Sequence, residues 1–234
     1  GSLYLQADNA NSGDVPVDRF DGINVRASLQ TANGDILLRS LADIHVFAVI
    51  TSTGADIGLD AAGDVLQDAD LIADAGNVLV IAGGDYIMDS AVSVLANAGD
   101  IVADATGNIS LAEMSAINVG LDAGGNITDV NGGGVTNVSA TNLSMLAGGS
   151  IGSSDLGSPV GVNNNAIDTA VAVVEASATT GIYIDEVDDL IIGSVADITV
   201  AVTILRDDGL GGTLNESEPS TLIVAAGLST AGGA

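Results

Sequence analysis

Apolar and polar residues alternate along this chain in runs of three to five positions, and glycines punctuate the runs. Ile36 with Leu38, Ile57 with Leu59, Val78 with Val80, Ile109 with Leu111, and Ile117 with Val119 and Leu121 all show period two. That period over so short a length predicts short strands with one buried face. Later strands are predicted over 171–174, 182–184, 190–192, 198–204 and 222–224.

The glycines between the runs are regular. Nine times a glycine is followed, at once or nearly so, by a short polar residue and then an apolar one. Gly63-Asp64-Val65, Gly76-Asn77-Val78, Gly99-Asp100-Ile101, Gly107-Asn108-Ile109 and Gly149-Ser150-Ile151 are examples. Two ladders interleave. Gly54, Gly76 and Gly99 are spaced by 22 and 23 residues, and Gly63, Gly84, Gly107, Gly125 and Gly149 by 21, 23, 18 and 24. The ladders keep an offset of 8 or 9 residues, as two corners of one recurring cross-section would. A constant offset favours a coil over a sandwich of equally short strands.

The fold class expected is therefore all-β, a parallel solenoid of about 18–24 residues per coil. Three short strands with their corners fill such a coil, and successive coils pair as parallel strands about 4.8 Å apart. Residues 1–234 read as a single array of roughly ten coils, on the order of 50 Å long. Glycine at a corner is expected to supply positive φ. The residue after it is Asp, Asn or Ser, which share a short backbone-bonding side chain but no charge. The demand at that position is thus a backbone bond, not a carboxylate. Residues 152–166 and 206–220, rich in Ser, Gly and Asn or in Gly and acids, read as loops leaving the coil.

Composition narrows the function classes. The net charge is −27, from 26 Asp and 5 Glu against four arginines and no lysine. No basic footprint exists for nucleic acid or for an anionic membrane surface. With 47% hydrophobic residues the chain can nonetheless bury a core, which sets it apart from charged disordered segments. Without cysteine there is no disulfide, thiolate metal site or thiol nucleophile. No apolar run is long enough to span a membrane, and no signal peptide is evident. Five aromatic residues in 234 suit a narrow coil interior filled by Val, Ile, Leu and Ala.

A family resemblance enters on particular runs. Gly125-Asn126-Ile127-Thr128-Asp129 leads through Ala140-Thr141-Asn142-Leu143 to Ala147-Gly148-Gly149-Ser150-Ile151-Gly152. Asn165-Ala166-Ile167-Asp168-Thr169-Ala170-Val171 and Gly181-Ile182-Tyr183-Ile184 follow. Over most of residues 34–204 this resembles the repeat region of filamentous-haemagglutinin-like proteins and other very large bacterial exoproteins. The resemblance implies a right-handed parallel β-helix, export to the cell surface or beyond, and a part in an adhesin stalk or surface fibre. Separately, a start at Gly1-Ser2 without methionine and an end at Gly232-Gly233-Ala234 read as a segment cut from a longer protein, although a processed mature chain would look similar.

Candidate chemistry is sparse. Asp188-Asp189 and Asp207-Asp208 are adjacent acid pairs of a kind that could serve a polysaccharide hydrolase or lyase, but basic partners are scarce. His45 is the single histidine, inside the apolar run 44–50, so no Ser-His-Asp arrangement can be assembled with it. Both pairs and His45 are read as structural or solvated. No catalytic or cofactor-binding residue is assigned, and no cofactor is required. Stacked acids such as Asp64 and Asp85 leave weak, dispersed calcium binding open, but neither an EF-hand nor a β-roll nonapeptide occurs and no metal-binding residue is assigned. Gly132-Gly133-Gly134 lacks the lysine and the context of a phosphate loop.

The expectation is a non-enzymatic structural segment of a secreted or surface fibre. It would be a stiff acidic rod whose partner is itself, by continuation or by end-to-end stacking. The rival readings are an adhesin module that uses loops 152–166 and 206–220 on a host receptor or glycan, and a β-helical polysaccharide enzyme.

Overall fold

A computed structural model describes residues 1–7, 22–154, 165–207, 213–222 and 228–230. Described residues form strands, turns and bends but no helix. The chain winds as a parallel β-solenoid of about eight turns, somewhat fewer than the ten expected from spacing.

Each early turn contains one strand of about five residues and two of about three. The first holds β1 (Leu3–Ala7), β2 (Ile23–Val25) and β3 (Leu29–Thr31). The second holds β4 (Ile36–Ser40), β5 (Ile44–Val46) and β6 (Ile50–Ser52). The third holds β7 (Ile57–Ala61), β8 (Val65–Gln67) and β9 (Leu71–Ala73). The fourth holds β10 (Val78–Ala82), β11 (Tyr86–Met88) and β12 (Ser93–Ala96). The fifth holds β13 (Asp100–Ala105), β14 (Ile109–Leu111) and β15 (Glu113–Ser115).

From the sixth turn the third corner straightens. β16 (Asn118–Ala123) and β17 (Ile127–Asp129) are followed by β18 (Val138–Ala147), which closes the sixth turn and opens the seventh. After β19 (Ser150–Ile151), β20 (Ile167–Ala178) does the same for the next pair of turns. β21 (Gly181–Ile182), β22 (Ile184–Glu186) and β23 (Ile191–Ile192) follow. These two continuous strands join the first and third faces into one 16-stranded sheet, while the second face is a separate 8-stranded sheet.

Register is strict. Ile36, Ile57, Val78, Ile101, Val119, Leu143 and Val174 lie one above another. Their separations are 21, 21, 23, 18, 24 and 31 residues. The last step exceeds the expected range because residues 152–166 intervene, and 155–164 of that segment lie outside the described residues. All extra length is taken up between strands. A one-residue slip within a strand would turn its buried side chains outward.

The interior is a stack of aliphatic rows. On the first face the last inward position is Ala61, Ala82, Ala105, Ala123, Ala147 and Ala178, all buried, where the wall bends toward the second face. Tyr86 is the one fully buried aromatic among the described residues. Its hydroxyl donates to Gln67 Oε1 at 2.5 Å, and Gln67 Nε2 donates to the Ser93 carbonyl at 3.1 Å. That chain of bonds meets the polar needs of a phenol and an amide placed in an apolar interior.

A second, smaller apolar cluster lies outside the coil. β24 (Ile198–Asp207) and β25 (Thr213–Leu222) form an antiparallel hairpin, with Ile198 opposite Leu222. β24 lies on the outer surface of β4, β10, β13 and β16, so it crosses successive turns. Its inward residues Ile198, Val200 and Val202 alternate with exposed Thr199, Ala201 and Thr203. They cover Leu37, Leu79 and Val102, which point away from the solenoid interior yet are at most 1% exposed. Gly58 leaves the room: a Cβ there would come within 3.2 Å of Val202. The chain then returns to the solenoid as β26 (Leu228–Thr230), beside Ala176–Ala178.

Two sequence expectations change here. Strand 198–204 exists, but it belongs to the hairpin and not to a coil. Residues 206–220, expected as a loop, are largely strand, because β24 supplies the pairing that their polar sequence does not advertise. Of the predicted strand 222–224, residues 223 and 224 lie outside the described residues.

The hairpin divides outward apolar residues into two kinds. Leu79→Ala is expected to cost about 2–5 kcal/mol, as for a core leucine. Ile87→Ala, on the uncovered second face at 36% exposure, is expected to stay within about 0.5 kcal/mol. Urea midpoints of the two variants test this, and equal small shifts would show that the hairpin covers nothing of consequence.

Candidate functional site

The most extensive polar arrangement is at the corners. Between the first and second faces, the backbone N–H of each turn's corner residue donates to the side-chain oxygen of the residue one turn before. Asp64 donates to Asp43 Oδ1 at 2.8 Å, Asp85 to Asp64 at 2.8 Å and Asn108 to Asp85 at 2.6 Å. Asn126 donates to Asn108 at 2.9 Å and Ser150 to Asn126 at 2.8 Å. Five consecutive bonds thus run along the axis.

A second ladder occupies the corner between the third and first faces. Asp35 donates to Ser2 Oγ, Asp56 to Asp35 Oδ1, Asn77 to Asp56 and Asp100 to Asn77. It continues through side-chain amides, Asn118 to Asp100 and Asn142 to Asn118, each at 2.7 Å. It stops where Val173 takes the next register position, since valine carries no acceptor. The expected backbone bond is thus present, and Asp, Asn and Ser serve as acceptors without distinction of charge.

The corner glycines act differently from expectation. Among the described residues positive φ occurs only at Gly132, Gly134 and Gly152, none of which is a ladder glycine. The ladder glycines are needed for close approach. A Cβ on Gly63, Gly84, Gly107, Gly125 or Gly149 would lie 2.1–2.4 Å from the ladder oxygen of the previous turn. The same glycines also donate backbone bonds upward, Gly84 to Gly63 O at 2.9 Å and Gly107 to Gly84 O at 2.8 Å. Spacing locates these corners, but only the stacked turns reveal what fills the place of the missing side chain.

The sequence-derived catalytic candidates do not converge. His45 sits on the second face, where its Nε2 lies 2.7 Å from Asp68 Oδ2. Its ring stacks on Phe47 at 3.5 Å between centroids, and the Arg26 guanidinium lies 4.7 Å from the Phe47 centroid. Asp188 and Asp189 lie about six turns away, at an open depression of about 420 Å³. Ala140, Thr141, Ala170 and Ala172 line it with them, and among the described residues no histidine, arginine or aromatic ring does. Asp207 ends β24, and Asp208 lies outside the described residues. Among the described residues no three acidic or histidine side chains gather to hold a metal.

Three aspartates are held above the usual carboxylate range. Burial holds Asp122 above the usual carboxylate range, and Asp104, its register neighbour, adds repulsion. Burial likewise raises Asp56, with a contribution from Asp35. Asp168 is raised by burial first, then by Asp129 and Asp185. In contrast, Asp60 in the same outer row as Asp122 is bonded by Arg39 at 2.9 Å.

No protein-family model matches the chain, and no curated protein or solved structure is significantly similar to it.

Two predictions follow from the corners. Asp64→Asn keeps the acceptor and removes one charge from the Asp43, Asp64, Asp85 row, so stability should hold or rise. Asp64→Ala leaves the Asp85 N–H without its partner and should cost about 1–3 kcal/mol. Gly84→Ala should cost at least as much, about 2–3 kcal/mol, by forcing that same oxygen away. If Asp64→Asn loses as much stability as Asp64→Ala in urea, charge rather than the bond is what matters.

The raised acids set a pH dependence. A raised folded-state value means the folded chain takes up the proton first as pH falls. Asp122 therefore costs stability at neutral pH, and the cost is relieved between its raised value and the ordinary 3.8. Asp122→Asn should be more stable than wild type at pH 7, with the difference shrinking toward pH 4. A difference that stays constant across a thermal-melt series would show that Asp122 titrates normally.

Proposed function

We propose that this chain is a non-enzymatic structural segment of a secreted or cell-surface fibre, a stiff acidic rod in a bacterial adhesin-like assembly. The observation that carries the reading is the pair of axial corner ladders, which add side-chain bonds between turns to the parallel strand pairing. The residue runs that resemble filamentous-haemagglutinin-like repeats support the surface setting. Load along the axis is shared by strand pairing and corner bonds. The acidic exterior keeps neighbouring rods apart through charge repulsion.

The rod's partner is another solenoid surface, either further turns or a second copy. At the end of the described array, β22 and β23 each pair with β20 alone. Val187, Ile191 and Ile192 are 71%, 61% and 56% exposed there. Such unpaired edges with apolar side chains favour pairing with another strand.

A binding module is the second reading, favoured by the depression beside Asp188 and Asp189. Its near lack of basic groups makes an acidic glycan a poor ligand. A β-helical glycan hydrolase or lyase is weaker still, because among the described residues no second titrating group of another type lines the depression with the acid pair.

Electron microscopy of the purified chain tests the leading reading. Rods roughly 40 Å long per copy, lengthening with concentration, are expected. Compact monomers at every concentration would remove the stacking part. Glycan turnover abolished by Asp188→Ala would replace the whole reading with an enzyme.

A further inference from the structure

We propose that Asp129, Asn131 and Asp168 form a binding site for a hard divalent cation of calcium size, where the 130–136 loop folds over the next turn of the solenoid.

β17 ends at Asp129, and the chain leaves the coil before returning at Asn137. Gly132 and Gly134, with φ of 75° and 93°, let the excursion curl. Asn137 is fully buried and fastens both sides. Its amide nitrogen donates to Asp129 Oδ1 at 2.8 Å and to the carbonyls of Leu111 and Ala112. Its Oδ1 accepts the Asp168 N–H at 2.8 Å, and its own N–H donates to the Asp168 carbonyl at 2.7 Å. Asn131 N–H adds a second bond to Asp129 Oδ1 at 2.8 Å. The Gly134 backbone is close enough to favour the charged form of the Asp168 carboxylate, which places the loop over that residue.

With these bonds made, polar atoms remain unused. Asp129 Oδ2 and Asp168 Oδ2 are buried and have no partner. Asp168 as a whole is 8% exposed. Both polar atoms of the Asn131 side chain are buried and unpartnered too. The loop and the turn beneath it thus contribute two carboxylate oxygens and one amide oxygen without a donor. Asp129 and Asp185 add negative charge beside Asp168, so a cation would be attracted to the unused oxygens. Buried polar groups are ordinarily satisfied, and orphans of this kind call for a ligand or an ion.

The chemistry selects the ion. All three donors are hard oxygens, and two are charged. Thiolate and imidazole are lacking, which disfavours zinc or copper. An irregular loop suits the variable coordination of calcium better than the strict octahedron of magnesium, with water completing the shell. This differs from the diffuse attraction of a chain with charge −27, because it requires named residues on two turns.

The test is calcium and magnesium titration of the chelator-treated whole chain in 150 mM NaCl, which screens diffuse attraction, followed by calorimetry and by melting temperature. One saturable calcium site per chain is expected, with Kd roughly 0.1–1 mM and weaker magnesium binding. Asp129→Asn and Asp168→Asn should each weaken it by about tenfold or more, the range over which ligand charge tunes such sites. Asp188→Asn/Asp189→Asn, which removes more charge elsewhere, should bind like wild type. In chelator, Asp168→Asn should melt no lower than wild type, because it relieves repulsion. That result separates lost binding from lost folding, and Asn131→Ala provides a third variant that keeps both carboxylates. Binding that does not saturate, that weakens by less than about tenfold in both aspartate variants, or that falls equally in the Asp188/Asp189 variant overturns the site. Orphan groups satisfied by water alone would give the first of these outcomes.

Discussion

The first seven turns of this protein are tied to one another by a short side chain that reaches across one strand spacing to the backbone of the next turn. Parallel strands lie about 4.8 Å apart, and the Oδ1 of Asp or Asn spans that gap to a neighbouring N–H at 2.6–3.1 Å. The geometry explains the amino-acid usage. Alanine has no acceptor, and Glu carries its carboxylate one methylene too far from the corner. An excess of Asp over Glu, 26 to 5, follows from corner-making as much as from charge. The preceding glycine belongs to the same unit, because the previous turn's oxygen occupies the space its Cβ would need.

Once the corners fix the stacking, the core becomes a set of rows. Each row needs side chains of matching size from turn to turn, hence the run of alanines from Ala61 to Ala178 at one bend. The hairpin adds a second layer without disturbing the first. It lies across the strands, and Ile198, Val200 and Val202 meet the outward residues of several turns at once. Burial on both sides explains why Ile36-Leu37-Leu38 and Val78-Leu79-Val80-Ile81 are continuous apolar runs, while second-face strands such as Ile109-Ser110-Leu111 alternate.

Much of this was readable in the chain because a solenoid repeats its local chemistry. Gly63, Gly84 and Gly107 mark one corner, and their distance from Gly54, Gly76 and Gly99 marks another. Features that depend on nonrepeating contacts were harder to read. Thr213–Leu222 has no apolar alternation and becomes strand only through β24. Continuous apolar runs such as Ile36-Leu37-Leu38 lie under the covering layer, but Tyr86-Ile87-Met88 on the uncovered face is as continuous, so the runs alone do not mark the cover. Asp129 and Asp168 stand far apart in sequence, and only the stacking of turns lets Asn137 bond them both. The steric role of the corner glycines stayed hidden for another reason: spacing locates a corner but not the atom that crowds it.

The corner bonds also give the rod a sense of direction. In every backbone link of both ladders the later turn donates and the earlier turn accepts. Such an array is vectorial, in the way an actin filament or a helix is, although no helix is involved. A turn joined at one end must offer donors, and a turn joined at the other must offer acceptors. Reversing a turn would set acceptor against acceptor, so the ladders hold only when every turn runs in the same direction.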